Sequence, residues 1–201
     1  MISPKQLITV LSDSNQPRTT ESFIRVHRHL EGYFKRVMLI GLRIHGVQYE
    51  TATRIIDSVH MHAIAQIEKA IVLLDGTSRK HSDVINEAKR NNNAVFVLVE
   101  LFQNFSALFR NRLAHGVIDE VRDPATLNTL FDVDLWLFNE FESMLKKKYC
   151  RSGFDRPNEW GAKPGRKESI DSIITRLKLG KVSPNPIATK DVQQTLAGIG
   201  H

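Results

Sequence analysis

The chain is poor in the features that mark secreted and membrane proteins. Its 201 residues include a single cysteine, Cys150, so no disulfide can form within the chain and a reducing compartment is favoured. No window approaches the roughly 18 consecutive apolar residues that span a bilayer. The first residues also lack the basic start and apolar stretch of a signal peptide. The sequence therefore predicts a soluble, cytoplasmic protein that has no membrane association.

Several motifs of ligand binding and catalysis are missing too. There is no P-loop, no glycine-rich dinucleotide turn and no serine-elbow motif. The pairs His27/His29 and His60/His62 are two residues apart, and on a helix such side chains point in nearly opposite directions, so neither pair chelates one ion. His27 and Glu31 share a helical face, which we interpret as a solvated polar stripe. We expect neither a cofactor nor a metal ion.

The composition is that of an ordinary soluble protein with a basic balance. Hydrophobic residues make up 41% and charged residues 25% of the chain, while 28 Lys and Arg against 22 Asp and Glu give a net charge of +6. A basic balance favours anionic partners, including nucleic acid. It carries no information about the fold.

Apolar residues recur at three- and four-residue steps through most of the chain, which indicates amphipathic helices. No convincing strand pattern occurs before residue 150, and Asn91–Asn93 predicts a kink or break because asparagine has a poor helix propensity. The fold class predicted is all-α: an up-down bundle of four to five helices with a C-terminal basic extension. The predicted helices cover about 21–45, 51–74, 82–115 and 124–149.

Three segments follow from the changes in composition. Residues 1–19 form an N-terminal arm, 20–150 the helical bundle, and 151–201 a basic extension with short helices, the first of them at about 168–179. The extension is too short to bury a core of its own. It must pack on the bundle, on another subunit or on a partner.

The stretch FRNRLAHG closes the third predicted helix with residues suited to phosphate chemistry. Histidine side chains in general can take up and release protons near neutral pH, so His115 is suited to take a proton from a ribose hydroxyl or return one to a leaving oxygen. Arg110 can stabilise charge that develops on a phosphate, and Asn111 lies on the same helical face as His115, where it can orient the imidazole. This combination suits metal-independent RNA cleavage. The alternative is a helix end at which Arg and His favour the helix dipole.

Other basic residues are predicted to hold the RNA. Arg112 lies within the same motif, Lys35 and Arg36 lie outside the apolar stripe of the first helix, and Lys146 and Lys147 end the fourth helix. Such residues can follow a phosphate backbone. Ordinary solvated helix faces are the alternative for each of them.

The arrangement at residues 110–115 resembles the signature of the HEPN superfamily (higher eukaryote and prokaryote nucleotide-binding). That signature is an arginine, four to six residues and a histidine, often with asparagine directly after the arginine. Here it reads RNRLAH, and the resemblance covers roughly residues 20–150. Arg54 and His60 also fit the spacing, but they lie inside a predicted helix and lack the asparagine, so we interpret them as surface residues.

The resemblance implies a homodimer in which two signatures meet in one composite active site. Cleavage would need no metal and leave a 2′,3′-cyclic phosphate, with His115 as acid or base, Arg110 as the phosphate contact and Asn111 as the orienting residue. Many such ribonucleases are toxins, with an antitoxin protein as partner, or antiviral abortive-infection effectors. One subgroup carries a tyrosine that is modified two residues after the histidine, and this chain has Val117 there, so that mode of neutralisation is not expected.

Two other interpretations remain open at this point. In the first, the chain is a non-catalytic HEPN-like module that binds a nucleotide or a partner protein. In the second, it is a regulatory, antitoxin-like partner whose Arg–His pair is structural. Exposure of Arg110 and His115 separates these alternatives from a ribonuclease, because an active site must reach solvent.

Overall fold

The computed structural model describes residues 9, 17–58, 63–75, 79–91, 93–161, 172–173 and 186–200. All regular secondary structure in these ranges is helical, which confirms the all-α prediction. None of the helices in these ranges is long and apolar enough to cross a membrane. The helices are α1 (Thr20–Ile44), α2 (Tyr49–Ser58), α3 (Ala63–Asp75), α4 (His81–Arg90), α5 (Ala94–Leu101), α6 (Ala107–Ala114), α7 (Pro124–Tyr149) and α8 (Thr189–Gly198), with a π-helical turn at Phe102–Ser106 and a 3₁₀ turn at Pro157–Glu159.

Local capping chemistry explains where the two long helices begin. Thr19 and Ser22 form a capping box, in which each side-chain oxygen accepts the other residue's backbone N–H. Asp123 caps α7 and Pro124 occupies its first turn. Hydrogen bonds from the side chain and backbone of Thr126 lower the pKa of Asp123. This cap is therefore present above the ordinary pKa of aspartate and is lost as the pH falls through the lowered value.

The predicted break at Asn91–Asn93 is confirmed. Helix α4 ends at Arg90, and the Asn93 side chain caps α5 by accepting the backbone N–H of Val95. The predicted helix over 51–74 corresponds to α2 and α3, and residues 59–62 between them lie outside the described ranges. The arm at 1–19 and the short helix at 168–179 also lie mostly outside those ranges.

Contacts between distant residues show how the long helices run. Arg18 pairs with Asp132, and Tyr33 donates a hydrogen bond to Glu142, so α1 and α7 are parallel. Phe102 packs near Phe34, and Ser106 contacts His27, which precedes Phe34 in α1. Positions later in the α5–α6 segment therefore meet positions earlier in α1, so this segment runs antiparallel to α1. The start of α1, the end of α6 and the start of α7 therefore lie at one end of the molecule. The largest fully buried side chains of this core are Phe23, Phe34, Phe102, Phe105 and Phe141.

The described parts of the C-terminal extension pack on the bundle of the same chain. At the far end of α1 and α7, Arg36 donates hydrogen bonds to three backbone carbonyls, those of Gly153, Phe154 and Asp155. Glu142 accepts hydrogen bonds from the backbone of Gly153 and from the side chain of Ser152. These contacts fix the chain directly after α7.

The second part of the extension packs at the opposite end. Val192 and Leu196 of α8 are buried, and α8 contacts α7 through hydrogen bonds of Thr189 with Thr126 and of Gln193 with Thr129. The sequence allowed the extension to pack on the bundle, on another subunit or on a partner. In the described ranges it packs on the bundle of its own chain.

Two glycines of α1 give a matched test of this packing. A Cβ at Gly41 would lie 2.6 Å from the Cβ of Leu73 in α3, whereas a Cβ at Gly32 would meet no atom within 4 Å. We expect Gly41→Ala to destabilise the protein by about 1–3 kcal/mol through overpacking. Gly32→Ala should stabilise it by about 0.5–1 kcal/mol through helix propensity. Urea unfolding measures both, and equal effects of the two variants would contradict the α1–α3 contact.

Candidate functional site

Helix α6, which carries the candidate motif, is separated from α5 by the π-helical turn. A π turn contains one residue more than an α turn, so it rotates the following helix by about 100°. The apolar stripe of α5 is thereby interrupted: within α6 only Ala107 is buried. The residues of the motif are consequently free to face solvent, although the helix before them is a core helix.

The predicted catalytic residues lie at the exposed end of α6. The Arg110 side chain is 27% exposed, with Nη2 3.1 Å from Oε2 of Glu31 and Nη1 3.0 Å from Oδ1 of Asn111. His115 caps the helix and is exposed, and its backbone N–H donates to the carbonyl of Asn111. Within the described residues its imidazole makes no hydrogen bond. The structure thus joins the side chains of Arg110 and Asn111, while the orienting role of Asn111 toward the His115 imidazole stays a prediction.

A buried cluster of three polar side chains lies at the start of α6 and includes Ser106, the residue directly before that helix. Nδ1 of His27 is 2.9 Å from Oδ2 of Asp134, and Oγ of Ser106 is 2.5 Å from Oδ1 of Asp134 and 3.2 Å from Nδ1 of His27. An ionised carboxylate accepts hydrogen bonds and donates none. The proton in the contact between His27 and Asp134 is therefore assigned to Nδ1 of His27, which acts as the donor. The His27 ring is also stacked on Phe102, with the ring centres 4.7 Å apart. One residue from α1, one from the π turn and one from α7 meet here.

This cluster continues to the surface through Glu31. Nε2 of His27 lies 3.8 Å from Oε1 of Glu31, beyond hydrogen-bond distance, and the other oxygen of Glu31 pairs with Arg110. The interpretation of His27 as part of a solvated stripe is wrong, because its side chain is fully buried. Its core position next to Asp134 satisfies Nδ1 and leaves only Nε2 without a hydrogen bond.

The sequence contains a signal for this cluster outside the RNRLAH motif. Asp134 occupies a position of the apolar stripe of α7, between Leu130 and Leu137, and His27 occupies one in α1, between Phe23 and Leu30. A polar residue at a core position of two helices requires a buried partner. Which residues pair cannot be read from the spacing, because all of them come from different helices.

The residues predicted to bind RNA do not form one surface. Arg112 is exposed within the motif, with its guanidinium 5.9 Å from the centre of the Phe109 ring. Lys35 is exposed and lies four residues after Glu31, on the same face of α1. Arg36, however, is engaged by the backbone carbonyls after α7. Lys146 and Lys147 are exposed at the other end of α7, about 33 Å along the helix from its first turn.

A groove of about 510 Å³ adjoins the motif, between the end of α6 and the start of α7. Arg112 belongs to its lining, whereas Arg110 and His115 do not. The remaining lining residues combine one aromatic ring, two further apolar side chains and four charged ones, and are Phe109, Ile118, Asp119, Glu120, Val121, Arg122, Asp123 and Thr126.

No metal-binding cluster of three or more His, Cys, Asp or Glu occurs among the residues that the structure describes. Comparison of the chain with protein-family models, with curated proteins and with solved structures gives no match. The functional assignment therefore depends on the residues at this end of the bundle.

The buried cluster predicts unequal effects for two neighbouring acids of α7. Asp134→Ala removes the acceptor of His27 and Ser106 and leaves both polar groups buried, so we expect a loss of about 2–5 kcal/mol in the free energy of unfolding. Asp132→Ala removes only a partly exposed ion pair with Arg18, for which we expect about 0–1 kcal/mol.

Chemical denaturation measures this difference. Ser106→Ala is the milder variant if Asp134→Ala does not fold, because it removes one hydroxyl and leaves the His27–Asp134 contact in place. Similar losses for Asp132→Ala and Asp134→Ala would contradict a buried cluster.

Proposed function

We propose that the protein is a metal-independent endoribonuclease of HEPN type that acts as a toxin or as an effector of phage defence. The observation that carries this proposal is the placement of Arg110 and His115. Both reach solvent at the end of a helix with one buried residue, whereas a purely structural Arg–His pair would be packed into the bundle. The RNRLAH signature supplies the reaction class.

The proposed reaction is an attack within the RNA backbone. A histidine imidazole takes the proton of a ribose 2′-hydroxyl, the 2′-oxygen bonds to the adjacent phosphorus, and the bond from phosphorus to the 5′-oxygen breaks. The leaving 5′-oxygen receives a proton, which gives a 2′,3′-cyclic phosphate and a 5′-hydroxyl. His115 performs the proton transfer, and the Arg110 guanidinium stabilises the negative charge on the phosphate in the transition state.

Charge around the site is compatible with an anionic substrate. Arg28 and Lys35 are exposed and lie three residues before and four residues after Glu31 on α1, so both are on the face of α1 that meets Arg110. Arg112 adds a further exposed guanidinium. Glu31 holds Arg110 in place before RNA binds, and a phosphate then competes with this carboxylate for the guanidinium.

A second copy of the chain would complete the proposed site by supplying a second histidine as the general acid. Val117, two residues after His115, is 63% exposed, more than any other large apolar side chain in the described ranges. Leu113 is also half-exposed. The core of a protein–protein interface is more apolar than the remaining surface, so these two side chains suit such a core.

Cleavage of RNA in the presence of EDTA tests the proposed activity. Wild-type protein should cut total RNA and leave cyclic-phosphate ends, and His115→Ala should reduce the rate by at least about 100-fold, because a general acid–base contributes roughly that factor. Arg110→Ala should cause a loss of similar size without change in the folded structure.

Matched controls come from the same chain. Arg54→Ala removes the arginine of the second sequence match, which is exposed on α2, and His29→Ala removes a half-buried histidine of α1. Both should keep wild-type activity. Retention of activity by His115→Ala, or no cleavage by the wild-type protein on total RNA and tRNA, would overturn the ribonuclease proposal.

Dimerisation is tested separately by light scattering after size exclusion. Val117→Glu places a charge in the proposed interface, so we expect a shift from dimer to monomer and a loss of cleavage. Tyr49→Glu is the matched control, since Tyr49 is the other exposed large apolar residue of the described ranges, at 38%. A monomeric wild-type protein with full activity would contradict the composite site.

A non-catalytic binding module is the second candidate. The ion pair of Arg110 with Glu31 favours it, because a guanidinium that is already neutralised can be structural. In that case His115→Ala keeps all binding functions, and Glu31→Gln lowers stability without revealing any nuclease activity.

A further inference from the structure

The groove between α6 and α7 has the chemistry of a base-binding site. Its aromatic floor is Phe109, a half-buried ring that is held edge-to-face against Phe105 with the ring centres 5.2 Å apart. The guanidinium of Arg112 extends over the same ring. Unstacked bases of single-stranded RNA are commonly held on such aromatic rings and guanidinium planes.

The charges of the groove disfavour a phosphate as its occupant. Three carboxylates (Asp119, Glu120 and Asp123) line it against two guanidinium groups (Arg112 and Arg122), so the lining has a net negative charge. A neutral ring with N–H donors fits this lining better than an anion does. The backbone phosphate would instead lie at Arg110, outside the groove.

One carboxylate of the groove is available for a ligand. Glu120 pairs with Arg122, and Asp123 accepts the N–H groups that start α7. Asp119 is exposed and has no hydrogen bond or ion pair in the described part of the chain. Guanine presents two adjacent donors, N1–H and the 2-amino group, to a two-oxygen acceptor. The other three bases place an acceptor beside their single donor group, which a carboxylate repels.

We propose that this groove binds a guanine base next to the cleaved phosphate, with Asp119 accepting its imino and amino hydrogens. The inference rests on the proposed ribonuclease function and adds the base preference of that site. Arg112 lies between the groove and the proposed cleavage site, because it lines the groove and lies on the helical turn between Arg110 and His115.

Binding of short RNAs tests the proposal without cleavage. The probes are fluorescein-labelled UUGUUU, UUAUUU, UUCUUU and UUUUUU, measured by anisotropy with the His115→Ala protein. We expect UUGUUU to bind about tenfold more tightly than the other three, since one good bidentate contact gives discrimination of that order. Asp119→Asn in the same background should abolish this preference by weakening the binding of UUGUUU, and it should not weaken the binding of UUUUUU. Asp57→Asn, at an exposed acid of α2, is the charge-matched control and should keep the preference.

Each outcome has a distinct meaning. Equal binding of the four probes, or a guanine preference that survives Asp119→Asn, overturns the groove proposal. Binding of a lysine-rich peptide that depends on Asp119, with no base preference for RNA, also overturns it and assigns the groove to a basic protein segment. A guanine preference without any cleavage by wild-type protein supports guanine binding in the groove and overturns the ribonuclease proposal. Cleavage with no base preference supports the ribonuclease proposal and overturns guanine binding in the groove.

Discussion

The carboxylate of Asp134 is the constraint around which this end of the molecule is organised. It is fully buried, and a buried carboxylate is tolerated only when donors surround it. His27 from α1 and Ser106 from the π turn supply those donors, so three segments that are distant in sequence must meet in one register. The end of α6 and the start of α7 are placed relative to α1 as a consequence, and Arg110 reaches Glu31 only in that arrangement.

Much of the secondary structure follows from local chemistry. The start of α7 is determined by Asp123 and Pro124, and the break before α5 by the asparagines at 91–93, because caps and helix propensity act within a few residues. The π turn and the parallel course of α1 and α7 do not follow from such local chemistry. Both depend on contacts between distant residues, such as His27 with Ser106, and periodicity along one helix contains no information about them.

The candidate site shows the same division. The residues at 110–115 are local to one helix end and could be found by spacing and residue type. The role of Glu31 beside Arg110, and the engagement of Arg36 by backbone carbonyls, come from chain reversals that no motif encodes. Basic residues are also poor predictors of one another's positions: Arg112 and Lys146 look equivalent in sequence, but Arg112 lies beside the start of α7 and Lys146 lies near its other end.

Thr126 takes part in three features of the structure. Its backbone N–H donates to the carboxylate of Asp123 that caps α7, its side chain contacts Thr189 of α8, and it lines the groove. The C-terminal helix therefore supports one wall of the groove from behind. A ligand that prefers the groove with α8 in place stabilises that docking, and docking raises the affinity for the ligand by the same factor. Hydrogen exchange in residues 189–198 would then slow as the groove fills, so the tail reports on a site that it does not touch directly.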